Sequence, residues 1–469
     1  MSDYDKIITM SMQLLMTNLA LRFALPLAAG AVTLSAAEPE LGFKPITTRS
    51  VAANRIAETP DYAHGFSDDL DWIDFGLESR ARYENRWNDY GAAGLVSDDA
   101  LVTRNLLFLG IKTVVDPLRF AVEFEDSRRF LSDRAHNSNV EDEREILQAF
   151  AQFHWEDVIG DAALNLNVGR MALDWSDRRL ISRNRNRNTI SAFDGLRLRL
   201  GDEKSAWEID SIALRPVDRN YEDLDESSDE ATLYGVAGYW RGWSPHIVLE
   251  PYWLWLDQDA RGSTPIRRDL HTAGLHAFGQ WGRKSAWDYD LSLAGQWGKV
   301  QGRDHRAWAA HAELGRSFDH PWRPRLALWV NYATGDRSSS DDRSERFDSL
   351  YGASFAFYGY SGFFAWQNMI NPSVRFSLQP AKTLKCEIIH RAIWLASGSD
   401  AWGRGLRLDA AGQSGTFVGQ EIDARLVWQA CKNFEVDLAY AHFFPGGFVN
   451  STGASPQSDL IQIAGTFRF

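Results

Sequence analysis

An all-β fold, a closed antiparallel transmembrane β-barrel of about 18 strands with short periplasmic turns and long extracellular loops, is what this 469-residue sequence predicts. Three observations carry the prediction. From residue 71 to the end, apolar and polar residues alternate over segments of roughly ten residues, the period of a strand and the length that crosses a bilayer when tilted. The connections alternate between tight turns and long charged loops. The 19 Trp, 14 Tyr and 26 Phe suffice for aromatic girdles at two bilayer interfaces. Mean hydropathy is nevertheless low, which argues against a helical membrane protein and suits a barrel, where lumenal polar residues offset lipid-facing apolar ones.

Taken in order, residues 19–37 read as a secretory leader. Arg22 precedes the apolar run Phe23–Ala29, and Ser35-Ala36-Ala37 offers small residues for cleavage after Ala37. Two Asp residues within 1–10 point to Met12 or Met16 as the start. The expected domains are therefore a signal peptide at 1–37, a periplasmic extension without periodicity at 38–70, and a barrel at 71–469. The first strand is the clearest: Ile73, Phe75, Leu77, Ala81 and Tyr83 point one way, and Asp74, Glu78, Arg80, Arg82 and Glu84 the other. The same rule sets Leu118, Phe120, Val122 and Phe124 against Arg119, Glu123 and Glu125, and Ile422, Ala424, Leu426 and Trp428 against Glu421, Asp423 and Arg425. Asp194–Leu200 and Ala231–Trp240 are also counted as strands. The last strand sets Ile461, Ile463, Phe467 and Phe469 against Gln462, Ala464, Thr466 and Arg468, the pattern by which outer-membrane barrels are recognised for assembly.

After even-numbered strands the connections are short: Val115-Asp116-Pro117, Gly201-Asp202-Glu203-Lys204, Gln379-Pro380-Ala381-Lys382 and Ala430-Cys431-Lys432-Asn433. After odd-numbered strands they are long: 127–144, 174–189, 217–230, 335–359 and 397–415. An even count puts both ends on the periplasmic side. A soluble propeller would show a four-strand repeat, and none is present. Cys386 and Cys431 are too few for a disulfide framework and have no metal spacing.

Of 50 basic residues only nine are Lys. Arginine keeps its charge and grips carboxylates through a planar fork. Arg80, Arg82, Arg104, Arg119 and Arg425 fall on the lumenal face, among the acidic Asp74, Glu78, Glu84, Glu123, Glu421 and Asp423, so cross-strand ion-pair ladders are expected. A second cluster, Arg170, Arg178, Arg179, Arg183, Arg185 and Arg187, lies at the top of the fifth strand and in the loop after it. That loop either folds inward and narrows the pore or lies on the surface against anionic lipid. The net charge of −13 reflects acidic loops and says little about a pore interior.

Gly169-Arg170, then Asp177-Arg178-Arg179-Leu180, then Phe193-Asp194-Gly195-Leu196-Arg197, resembles a pattern of the alginate export porins. Pro324-Arg325-Leu326 with Ala333-Thr334-Gly335-Asp336, Val418-Gly419-Gln420-Glu421-Ile422-Asp423, and Phe444-Pro445-Gly446-Gly447 continue the likeness over about 71–469. The resemblance implies an eighteen-stranded outer-membrane barrel with an Arg-rich constriction, a family whose best-known member exports alginate. It also implies Arg170, Asp194, Glu421, Asp423 and Arg425 as matching positions. The alginate exporter has a long periplasmic turn between strands sixteen and seventeen; here that turn is Ala430–Asn433, so the inner mouth differs.

The expected function is passive, anion-selective passage of a uronate-type polysaccharide or oligosaccharide across the bacterial outer membrane. The pore-lining residues would be Arg80, Arg82, Arg104, Arg119, Arg170, Asp194, Arg197, Glu421, Asp423 and Arg425. The alternative is a general or cation-preferring porin. An enzyme is not expected: His154, His246, His271, His276, His311, His390 and His442 are scattered, and GxSxG, HExxH and phosphate-loop motifs are absent. No cofactor or metal is expected. The implied partners are outer-membrane lipid and an anionic polysaccharide or oligosaccharide, with periplasmic export or uptake components left open. Nucleic acid is excluded by compartment.

Overall fold

The computed structural model describes residues 58–469, apart from 66–69, 71, 92–94, 116, 161, 203–204, 222, 261–265 and 404–405. The expected leader, most of the 38–70 extension, and Asp116, Glu203 and Lys204 of two turns lie outside the described residues.

Eighteen strands run as successive antiparallel neighbours. They are β1 Ile73–Trp87, β2 Asp98–Val115, β3 Leu118–Phe130, β4 Asp142–Ile159, β5 Ala162–Met171, β6 Phe193–Leu200, β7 Trp207–Asp218, β8 Ala231–Trp240 and β9 Val248–Gln258. The second half comprises β10 Arg268–Trp281, β11 Trp287–Val300, β12 Arg303–Ser317, β13 Arg325–Ala333, β14 Met369–Ala381, β15 Leu384–Trp394, β16 Phe417–Cys431, β17 Phe434–Pro445 and β18 Ser458–Arg468. The sheet closes on itself because β18 pairs with β1, from Glu78 opposite Arg468 to Trp87 opposite Asp459. Phe469 completes the seam: its N–H and C=O both bond Leu77, each at 2.9 Å. Closure leaves no open strand edge for lipid to meet.

The two faces are inverted relative to a soluble protein. Asp74, Glu78, Arg80 and Arg82 are buried on the inside of β1, while Tyr83 and Trp87 are exposed outside. Leu293, Leu328 and Ile388 are each more than half exposed on the outer wall. Leaving such side chains in water forgoes about 1.5–3 kcal/mol apiece, a cost that lipid removes. This is the arrangement of a bacterial outer-membrane protein.

Turns of two residues join β2 to β3, β4 to β5, β14 to β15 and β16 to β17, all at one end. Long loops lie at the other: 131–141, 172–192, 219–230, 334–368 and 395–416 among them. Strands β3 and β4 extend through much of the expected 127–144 loop, because Glu125 and Ser127 still pair with Glu145 and Asp142. One connection on the loop side breaks the asymmetry. Gln301 and Gly302 alone join β11 to β12, both at positive φ, as a tight hairpin turn requires. Cys431 ends β16 rather than sitting in a turn, and both cysteines are free.

The barrel is not an open tube. Loops 172–192, 334–368 and 395–416 fold inward and pack Trp175, Phe347, Phe357, Trp366 and Trp402 into a dry core inside the ring. The approach is close: a Cβ on Gly352 would collide with the Arg179 carbonyl of the neighbouring loop.

Candidate functional site

Strand alternation puts Glu78, Arg80 and Arg82 on one inward row of β1, and register sets Arg104 of β2 directly opposite Arg80. Two facing guanidinium groups repel. Loop 172–192 resolves this by presenting backbone carbonyls to them. Arg80 donates to the Arg187 carbonyl (2.8 Å), the Arg185 carbonyl (3.4 Å) and Asn188 Oδ1 (3.2 Å). Arg104 donates to the Arg185 carbonyl (2.9 Å) and Arg82 to the Asn186 carbonyl (2.7 Å). The loop therefore takes the inward course, held by its main chain against the arginines of the wall.

One carboxylate, Glu78, collects three guanidinium groups: Arg104 at 2.8 Å, Arg185 at 2.6 Å and Arg468 at 2.9 Å. Arg425 is held by Asp437 in a two-pronged pair (2.9 and 2.7 Å). Among the described residues Arg80 has no carboxylate within ion-pair distance. These side chains border a lumenal cavity of about 190 Å³, lined by six guanidinium groups (Arg80, Arg82, Arg104, Arg185, Arg425, Arg468) and three carboxylates (Glu78, Glu435, Asp437). The lining thus carries more guanidinium than carboxylate groups.

Of the ten predicted residues, Arg80, Arg82, Arg104 and Arg425 meet at this cavity. The other six do not line it. Arg119 is buried on the inward face of β3. Arg170 forms a two-pronged pair with Asp194 (2.9 and 3.1 Å) and reaches Glu145 at 3.1 Å. Gly169 and Gly195 stand opposite each other beside that pair at φ 133° and 150°, where a Cβ would strike the next strand's carbonyl. Glu421 and Asp423 are covered by loop 334–368: Glu421 accepts from Ser361 Oγ (2.5 Å), and Asp423 from the Tyr360 N–H (3.4 Å) and Arg391 (2.9 Å). They fasten the loop to the wall.

Arg197 points into the opposite part of the lumen. It grips Asp210 with Nε and Nη2 (3.0 and 2.6 Å), and its Nη1 meets Glu58 at 2.5 Å. Glu58 belongs to residues 58–65, a strap that enters the ring. Its His64–Gly65 pair extends the β1 edge beyond the end of β18, and its Tyr62 donates to Glu123 of β3. Burial, then the Glu123 carboxylate, push the Tyr62 phenol well above its ordinary range, so it remains a donor.

Arg468, Glu435 and Asp437 line the cavity but were not among the expected pore-lining residues, and neither was the strap. The first three obey strand parity and were readable from it. The strap has no periodicity to betray it. Among the described residues, Asp142, Glu145 and Asp225 bring carboxylate oxygens within 4.8 Å of one another. Arg170 already faces Glu145 at 3.1 Å, and Arg219 faces Asp142 at 3.7 Å.

A sequence model of the alginate export family matches residues 71–461. No curated protein matches the chain by sequence. Solved structures share the fold. OccK3 (OpdO) of Pseudomonas aeruginosa is 16% identical, with a TM-score of 0.57 over 85% of this chain and 95% of that one. OpdK of Pseudomonas aeruginosa, solved with vanillate, is 13% identical, with a TM-score of 0.59 over 85% and 98%. OprD of Pseudomonas aeruginosa is 11% identical, with a TM-score of 0.58 over 90% and 98%.

Proposed function

This chain belongs to the alginate export family, and from that premise we propose that it is an anion-selective outer-membrane channel for uronate-type oligosaccharide or polysaccharide. That it forms an outer-membrane channel follows from family and fold together; the selectivity and the solute are the proposal. The observation that carries them is Arg80 facing Arg104, with six guanidinium groups against three carboxylates around the cavity. A uronate chain offers a carboxylate on each sugar, and Arg80, held by loop carbonyls rather than by a carboxylate, keeps its charge to meet one. Attraction of this kind draws an anion in, while exchange between neighbouring arginines lets it leave. A passive pore encodes no direction; the gradient and any periplasmic components supply it.

Planar-bilayer recording tests this. The reversal potential in a KCl gradient should show anion preference, and galacturonate oligomers should interrupt the current. Cation preference with no block by the oligomers would sink the reading and favour a general porin.

A further inference from the structure

The strap and the wall it touches form a second charged site. Arg197 is 1% exposed, and all three arms of its guanidinium are engaged: two by Asp210 and the third by Glu58. Arg199 stands beside it, 3.6 Å from Asp210 and 3.8 Å from Glu58. Two cations thus share two carboxylates, one built into the wall and one delivered by a segment that precedes the barrel. The delivery is strained, since Glu58 holds a φ of 59°, which residues with a Cβ rarely adopt. Across the sheet from Arg197, Asn167 of β5 is 1% exposed, and neither atom of its amide has a hydrogen-bond partner among the described residues. A buried unsatisfied amide beside a borrowed carboxylate is a set of donors and acceptors suited to a hydroxylated acid.

We propose that Arg197 and Arg199 form a carboxylate-binding site that the chain fills with its own Glu58, and that a uronate carboxylate entering the lumen displaces residues 58–65 from it. The ligand class rests on the anion-channel reading above. Removing Glu58 leaves one buried guanidinium arm unpaired, which is costly, so the strap departs by exchange with another carboxylate rather than by simple dissociation. Asn167 then meets sugar hydroxyls. Displacement is also felt at the cavity, because Arg185 lies over the Tyr62 ring (5.7 Å) while its guanidinium pairs with Glu78.

The test uses the full chain in planar bilayers, with sodium galacturonate as blocker and glucose as its neutral counterpart. Glu58→Gln should lower the galacturonate concentration for half-block about tenfold, equivalent to about 1.4 kcal/mol, and leave the response to glucose unchanged. Adding Arg199→Gln should abolish the gain. Arg199 is chosen because its contacts are longer than those of Arg197, and heat-shifted mobility in gels verifies that each barrel is folded. Half-block unchanged by Glu58→Gln, or an equal gain for glucose, overturns the site. A cation-selective wild-type channel instead overturns the anion reading, and the two failures are told apart by reversal potential against block.

Discussion

Two halves of the lumen are built by the same rule and differ in what answers their arginines. In the half walled by β3 to β7, each prominent guanidinium meets carboxylates: Arg170 has Asp194 and Glu145, and Arg197 has Asp210 and Glu58. In the half walled by β16 to β18, β1 and β2, Arg104 pairs with Glu78 and Arg425 with Asp437, but Arg80, facing Arg104, leans on the carbonyls of Arg185 and Arg187. A carbonyl satisfies the hydrogen bonds of a guanidinium but leaves its charge in place. The nature of each acceptor therefore matters more than the number of arginines, and Arg80 is what sets the second half apart.

The contrast can be broken by exchanging stability effects for selectivity effects. In the paired half, Asp210→Ala leaves the buried Arg197 and Arg199 only Glu58 between them, and a loss of about 3 kcal/mol is expected, read by urea unfolding in detergent or by gel mobility. In the second half, Arg80→Gln removes hydrogen bonds to carbonyls only. It should cost about 1 kcal/mol or less yet cut the anion-to-cation permeability ratio by about tenfold, the reverse ordering. An Arg80→Gln barrel as unstable as Asp210→Ala, with selectivity intact, would erase the distinction.

The smallest expected effect sharpens the paired half. Burial, then the neighbouring Glu145 charge, push the Asp225 carboxyl up to about 6, against the opposing Asn220 N–H and Arg219. Its folded value thus exceeds the usual value of about 3.9. The contribution to loop stability is complete below about pH 4 and fades as pH rises through about 6. Loop 219–230 should be cut by protease more slowly at mildly acid pH than at neutral pH, and equal rates would remove the charge crowding from the account.

The barrel was legible because its outer wall must alternate. The row Ile461, Ile463, Phe467 and the row Ile73, Phe75, Leu77 name opposite sides of one seam without coordinates. Arg170 and Asp194 were each named by the resemblance, but that they pair emerges only from the strand register that sets Gly169 opposite Gly195. Strand parity placed Glu421 and Asp423 inside, but their partners Ser361 and Tyr360 lie some sixty residues away in a loop with no rhythm. The course of Arg178–Arg187 was undecidable for a similar reason. What draws it inward is its own backbone carbonyls meeting Arg80, Arg82 and Arg104, and carbonyls leave no mark in a sequence.

The cavity beside Arg80 is walled partly by loop 172–192, which contributes Arg185 and Asn186. Barrel and loop thus build it jointly, so an insertion in that loop would recast its size and its charge in a single step.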